Sequence, residues 1–125
     1  IINKKAKSVL ILTPTRELAV QIKDELSKLN LFTGLKISNV YGGHGMSLEM
    51  SSLRRGVDIL VATPGRLIDH FKRHTINPKI FDVVLLDEAD RMLDMGFLQD
   101  IKGILGLIKP KSMHLFSATL QGKVA

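Results

Sequence analysis

A chain of 125 residues suffices for one hydrophobic core, since single domains run to about 100–150 residues; at 45% hydrophobic and 24% charged it is no disordered polymer. The formal net charge of +6 favours anionic partners, nucleic acid among them, without singling one out. With no cysteine there is no disulfide or thiolate metal site, no apolar run approaches the ~20 residues that span a bilayer, and Ile1 to Lys7 lack a signal-peptide order, so an intracellular protein, cytoplasmic or nuclear, is expected.

Short apolar runs alternate with segments of helical period, the pattern of an α/β fold with a parallel sheet flanked by helices. In chain order, strands are expected at Val9 to Leu12, Leu35 to Val40, Val57 to Ala62, Phe81 to Leu86 and Met113 to Phe116, several of them apolar throughout, as in a sheet covered on both faces. Leu18, Ile22, Leu26 and Leu29 mark one helix and Phe97, Ile101, Leu105 and Ile108 another, each set on a single face. Shorter helices are expected over Ser47 to Arg55 and Pro64 to His74, with breaks at Gly42-Gly43, Asn77-Pro78 and Lys109-Pro110.

Ligands of open parallel sheets bind beyond the carboxyl ends of the strands, which directs attention to four junctions. Thr13-Pro14-Thr15-Arg16-Glu17 and Thr63-Pro64-Gly65-Arg66 echo each other: a Thr that can cap a helix, a Pro suited to its first turn, an Arg two residues on. Free N–H groups at a helix start beside a guanidinium make an anion site, and two on one sheet edge can follow a phosphodiester backbone without reading bases. Ordinary helix starts with solvated arginines explain the same residues. The third junction, Val83-Val84-Leu85-Leu86-Asp87-Glu88-Ala89-Asp90, ends an apolar strand in adjacent carboxylates, as in a Walker B element that holds Mg²⁺ and orients an attacking water; carboxylates also simply complement a helix N-terminus. At the fourth, Ser117-Ala118-Thr119, the hydroxyls lie beyond the same edge and within reach of Asp90, though a plain turn uses such residues too.

Taken together, Pro14 to Ala19, Gly42-Gly43, Thr63 to Arg66, Asp87 to Asp90 and Ser117 to Thr119 stand in the order found in DEAD-box RNA helicases, and DEADRMLDMGF (Asp87 to Phe97) resembles that family throughout. The resemblance spans roughly residues 8 to 120. It implies a partial RecA-like domain of the P-loop NTPase superfamily, and an ATP-dependent RNA helicase, with ATP and Mg²⁺ as cofactors and the RNA backbone as a sequence-independent partner. By resemblance, Asp87 is the Mg²⁺-ATP carboxylate, acting through water, and Glu88 activates the attacking water. Asp90, Ser117 and Thr119 couple hydrolysis to strand separation. Pro14, Thr15, Arg16, Glu17, Gly42, Gly43, Thr63, Pro64, Gly65 and Arg66 contact RNA.

The departures carry their own expectations. No G-x-x-x-x-G-K-[ST] loop occurs, and no second motor domain, so residues 1–125 are expected to be a piece of the enzyme that does not hydrolyse ATP alone, the alternative being a non-catalytic RNA- or partner-binding module. The strand leading into the phosphate loop is expected beside the Asp87 strand; its loss should leave a gap that the remaining strands close or a second chain fills, by dimerisation or strand exchange. His70 and His74 at i, i+4 read as a solvated helix face rather than a zinc site, as no third ligand is evident. Asp87, Asp90 and Asp94 read as a polar helix face rather than a calcium site. Met92, Met95 and Phe97 read as core or hinge packing.

Overall fold

The computed structural model describes residues 8–29, 34–43 and 45–117. All five expected strands form: β1 (Ser8–Leu12), β2 (Ile37–Val40), β3 (Ile59–Ala62), β4 (Phe81–Leu86) and β5 (Ser112–Leu115). They make one parallel sheet in the order β2-β3-β1-β4-β5. β2 and β3 begin two residues later than their apolar runs. The Asp58 carboxylate takes the Lys36 N–H at 2.8 Å, and the Asp58 and Ile59 N–H groups both reach the Lys36 carbonyl, so the ladder becomes regular only beyond that point.

The helices are α1 (Arg16–Leu29), α2 (Met46–Arg54), α3 (Pro64–Lys72), α4 (Ala89–Asp94) and α5 (Leu98–Ile108), with a 3₁₀ turn over Pro78–Ile80. Alternation along the strands divides the core. Ile11 and Val61 face α1 through Ala19, Ile22 and Leu26. Leu10, Leu12, Leu60, Ala62 and Val84 face the opposite way, onto Leu67 and Phe71 of α3 and Ile101, Ile104 and Ile108 of α5. Each fully buried leucine contributes roughly 1.5–3 kcal/mol, and the two faces together explain why the strand sequences are continuously apolar. Leu29, placed on the buried stripe of α1 by its spacing, is 74% exposed at the helix end, one turn beyond the sheet's reach.

No gap lies beside the strand that ends at Asp87. β4 pairs with β1 on one side and with β5 on the other, so its backbone groups have partners on both flanks. Among the described residues the two edge strands are β2 and β5, and at β5 Leu115 is 59% exposed.

Candidate functional site

The carboxyl edge of the sheet is laced together by backbone hydrogen bonds. The residues just beyond β3, β1, β4 and β5 donate their N–H groups to the last carbonyl of the neighbouring strand: Thr63 to Val40 (3.2 Å), Thr13 to Ala62 (3.0 Å), Asp87 to Leu12 (2.8 Å) and Phe116 to Leu86 (2.9 Å). These bonds bring the four junctions onto one rim. The crevice within it lies between β1 and β4, because the chain leaves β1 toward the α1 face and leaves β4 toward the α5 face; such switch points are where open α/β sheets bind ligands.

The two echoing motifs differ in three dimensions. Thr63 is the N-cap of α3, with extended backbone and Pro64 in the first turn, but its side chain makes no capping bond. Thr13 is not a cap. It prolongs β1, its hydroxyl is buried without a hydrogen-bond partner, and α1 starts only at Arg16. The cap there is Thr15, whose Oγ1 accepts the Leu18 N–H at 3.3 Å, so Pro14 precedes the helix instead of occupying its first turn. Arg16 consequently projects outward, its side chain 61% exposed and near Glu17 at 3.7 Å. A Cβ on Gly43 would meet the Arg16 Nη1 at 2.9 Å, and Gly43 has φ of +91°; the glycine turn and the first junction therefore meet at this guanidinium. Arg16, Glu17, Tyr41 and Gly43 line a shallow cleft of about 510 Å³.

Arg66, by contrast, turns inward and is not solvated. Its side chain is 14% exposed, and Nε donates to Glu49 Oε1 at 2.7 Å. His70 Nε2 donates to the same oxygen at 2.7 Å, and the Tyr41 N–H donates to Oε2 at 2.9 Å. Burial pushes the Glu49 carboxyl up, but hydrogen bonds from His70, Arg66 and Tyr41, with the Arg66 charge, outweigh it and hold Glu49 below the usual glutamate value. Sequence reasoning missed Glu49. Its only signal is an acidic residue at a helical position otherwise turned to the core beside Leu53. His70 is wholly buried, and His74 lies beyond the end of α3 with φ of 57°, so the two do not share a solvated helix face.

Asp87 and Glu88 sit together in a cleft of about 340 Å³ floored by Ile11 and Leu85 and walled by Leu18 and Ile22 of α1. Glu88 occupies the left-handed region, φ 55° and ψ 51°, as the N-cap of α4 and makes no side-chain capping bond; a non-glycine residue there is strained, and such strain concentrates at functional sites. Arg91 Nη1 reaches its Oε1 at 3.4 Å. Among the described residues no three His, Cys, Asp or Glu side chains cluster to hold a metal by themselves. A magnesium ion that arrives with phosphates takes only one or two protein carboxylates, and this pair at the rim of an open cleft fits that demand.

Asp90 and Ser117 lie on adjoining segments, since the Ala89 N–H donates to the Phe116 carbonyl at 2.7 Å. Thr119 lies outside the described residues. Met92 is fully buried and Phe97 packs against the core, whereas Met95 is exposed because α4 ends at Asp94 and carries it past the packed layer.

The sequence profile of DEAD/DEAH box helicases matches residues 1–125. The chain belongs to that family. It is 48% identical over 118 residues to the ATP-dependent RNA helicase RhlB of Pectobacterium carotovorum, covering 92% of this chain and 27% of that protein. A solved structure of a hypothetical ATP-dependent RNA helicase from Sulfolobus tokodaii superposes with a TM-score of 0.85 at 38% identity, covering 95% of this chain and 37% of that one. A DEAD box protein from Methanococcus jannaschii gives 0.84 at 43% identity, covering 95% and 33%. This DEAD/DEAH box chain therefore spans between about a quarter and somewhat over a third of these relatives' lengths.

Proposed function

We propose that this chain is part of the first motor domain of an ATP-dependent RNA helicase, the part that carries the RNA-tracking edge and the carboxylates serving Mg²⁺-ATP. The observation that carries this reading is the laced rim, which sets Thr13 to Glu17, Gly42-Gly43, Thr63 to Arg66 and Asp87-Glu88 along one edge of one sheet. Arg16 and the backbone N–H groups opening α3 suit phosphates and not bases, so binding is independent of sequence. When bound, Mg²⁺-ATP supplies the phosphoanhydride and the neutralising charge. Asp87 would hold the metal that neutralises the phosphates, and Glu88 would accept a hydrogen bond from the attacking water and orient it. Asp90 and Ser117, on touching segments, relay closure of the cleft to the RNA edge, with Thr119 completing the link.

By themselves residues 1–125, which contain no phosphate loop, bind RNA and do not turn over ATP. We read them as a single partial domain, working in the cytoplasm or nucleus; no helix among the described residues is long and apolar enough to cross a membrane. Phosphate release from ATP by this chain, with and without single-stranded RNA and with Glu88→Gln as control, is the test. Background release with retained RNA binding is expected. RNA-stimulated release abolished in Glu88→Gln would overturn the inactivity of the chain, and absence of RNA binding would remove the edge reading. Among the described residues β5 is an edge strand with exposed apolar side chains, an arrangement that invites strand pairing, and we propose that the isolated chain dimerises or exchanges a strand there.

A further inference from the structure

Glu49 is the most deeply buried carboxylate among the described residues, 1% exposed, and none of the chemistry above uses it. Its carboxylate collects donors from both sides. Oε2 takes the N–H of Tyr41, the residue that enters the Gly42-Gly43 turn, and Oε1 takes Arg66 Nε and His70 Nε2 from α3. A carboxylate only accepts, so the hydrogen of His70 sits on Nε2, and its Nδ1 is buried without a partner. Burying a carboxylate carries a desolvation cost of several kcal/mol that an ion pair seldom recovers in full. Well-packed apolar side chains would fill the same space as stably, so stability does not explain this arrangement; geometry does.

The geometry joins two otherwise separate parts of the rim. Gly42 and Gly43 form an exposed turn, and glycines lose more conformational freedom on ordering than any other residue. The Glu49 side chain reaches back from α2 and closes that turn at Tyr41, while its other oxygen anchors the first turn of α3. We propose that Glu49 is a positioning residue for RNA: it sets the spacing between the glycine turn and the Thr63–Arg66 segment so that both meet one phosphodiester backbone. This inference rests on the reading of the rim as the RNA-binding edge.

The sign of the effect separates positioning from plain electrostatics. Replacing Glu49 with an uncharged residue removes a negative charge close to the RNA edge, and electrostatics alone would then tighten binding. Positioning requires the opposite. The experiment measures single-stranded oligouridylate affinity of the 125-residue chain by fluorescence anisotropy, with folding checked by circular dichroism. Glu49→Ala should weaken binding about tenfold, the size of one missing charge-assisted hydrogen-bond set. Glu49→Gln, which keeps one acceptor and the side-chain shape, should recover most of that loss. Should Glu49→Ala fail to fold, Glu49→Leu fills the space without an acceptor and takes its place. Unchanged or tighter binding by a folded apolar variant overturns the proposal, as does a Glu49→Gln chain as weak as Glu49→Ala. If neither apolar variant folds, Glu49 belongs to the fold and the proposal also fails. Arg16→Ala, measured alongside, keeps the two readings apart. If it binds as the parent does, the RNA edge itself is wrong and this inference falls with it; if it binds weakly while folded Glu49→Ala does not, only the positioning role is lost.

Discussion

Arg16 and Arg66 occupy equivalent places in two similar tetrapeptides, yet one faces solvent and the other a buried carboxylate. The difference follows from where each helix begins. α3 starts at Pro64, which places Arg66 within its first turn beside α2; α1 starts at Arg16 itself, which leaves that side chain at the mouth of the helix. Arg16→Ala should therefore reduce the salt dependence of single-stranded RNA binding, the slope of log K against log salt falling by about 0.7 when one phosphate is no longer neutralised. An unchanged slope would place Arg16 away from phosphate. Glu49 has a pH signature of its own. Its folded-state value lies below the usual one, so its contribution to stability is full above the unfolded value, roughly pH 4.3, and is lost as pH falls through the folded value. Thermal melts between about pH 5 and pH 3 should show a steeper loss in the parent chain than in Glu49→Gln; parallel losses would mean that Glu49 does not carry the acid sensitivity.

Among the elements, the glycine turn gives the sharpest contrast. Gly43 sits at φ +91° with Arg16 Nη1 close to where a Cβ would be, whereas Gly42 has open space around it and no positive φ. Gly43→Ala should cost about 1–2 kcal/mol from backbone strain, since the arginine tip can swing aside but the dihedral cannot relax. It should also displace Arg16 from the rim. Gly42→Ala should leave the unfolding free energy within about 0.5 kcal/mol of the parent's, as an unstrained surface change does. Equal melting of the two variants would contradict a dihedral penalty specific to Gly43. All five strands and the two long helices were legible from apolar runs and period, because buried strands and helix faces leave that imprint on sequence. The cap at Thr15 was not, since Thr13-Pro14 offers the same chemistry one step earlier and only the strand ladder through the Thr13 N–H decides between them. A helical face over Asp87, Asp90 and Asp94 was legible, but not that the left-handed entry at Glu88 starts α4 only at Ala89 and leaves Asp87 outside it.

At the level of the whole molecule, β4 is interior and the edge strands among the described residues are β2 and β5. Exposed Met113 and Leu115 on β5 put apolar surface on a strand with no second strand neighbour among the described residues, the circumstances in which strands recruit partners. Sedimentation of the isolated chain over rising concentration should show self-association, and Leu115→Lys on that edge should suppress it. A monomer at every concentration would remove the proposed dimer or strand exchange.

The amino-acid sequence by itself determined the fold class, the order of elements and the family, because apolar periodicity and five short motifs are properties of neighbouring residues. It also located Asp87 and Glu88, two of the three carboxylates that line the 340 Å³ cleft, though not Glu25 of α1. Only the tertiary structure decided which strands, β2 and β5, lie at the sheet edges and which arginine faces solvent. It alone placed Glu49, eight residues beyond Tyr41 and seventeen before Arg66, between the two segments it ties. Such pairings depend on strand order and helix start, and neither is written in local sequence.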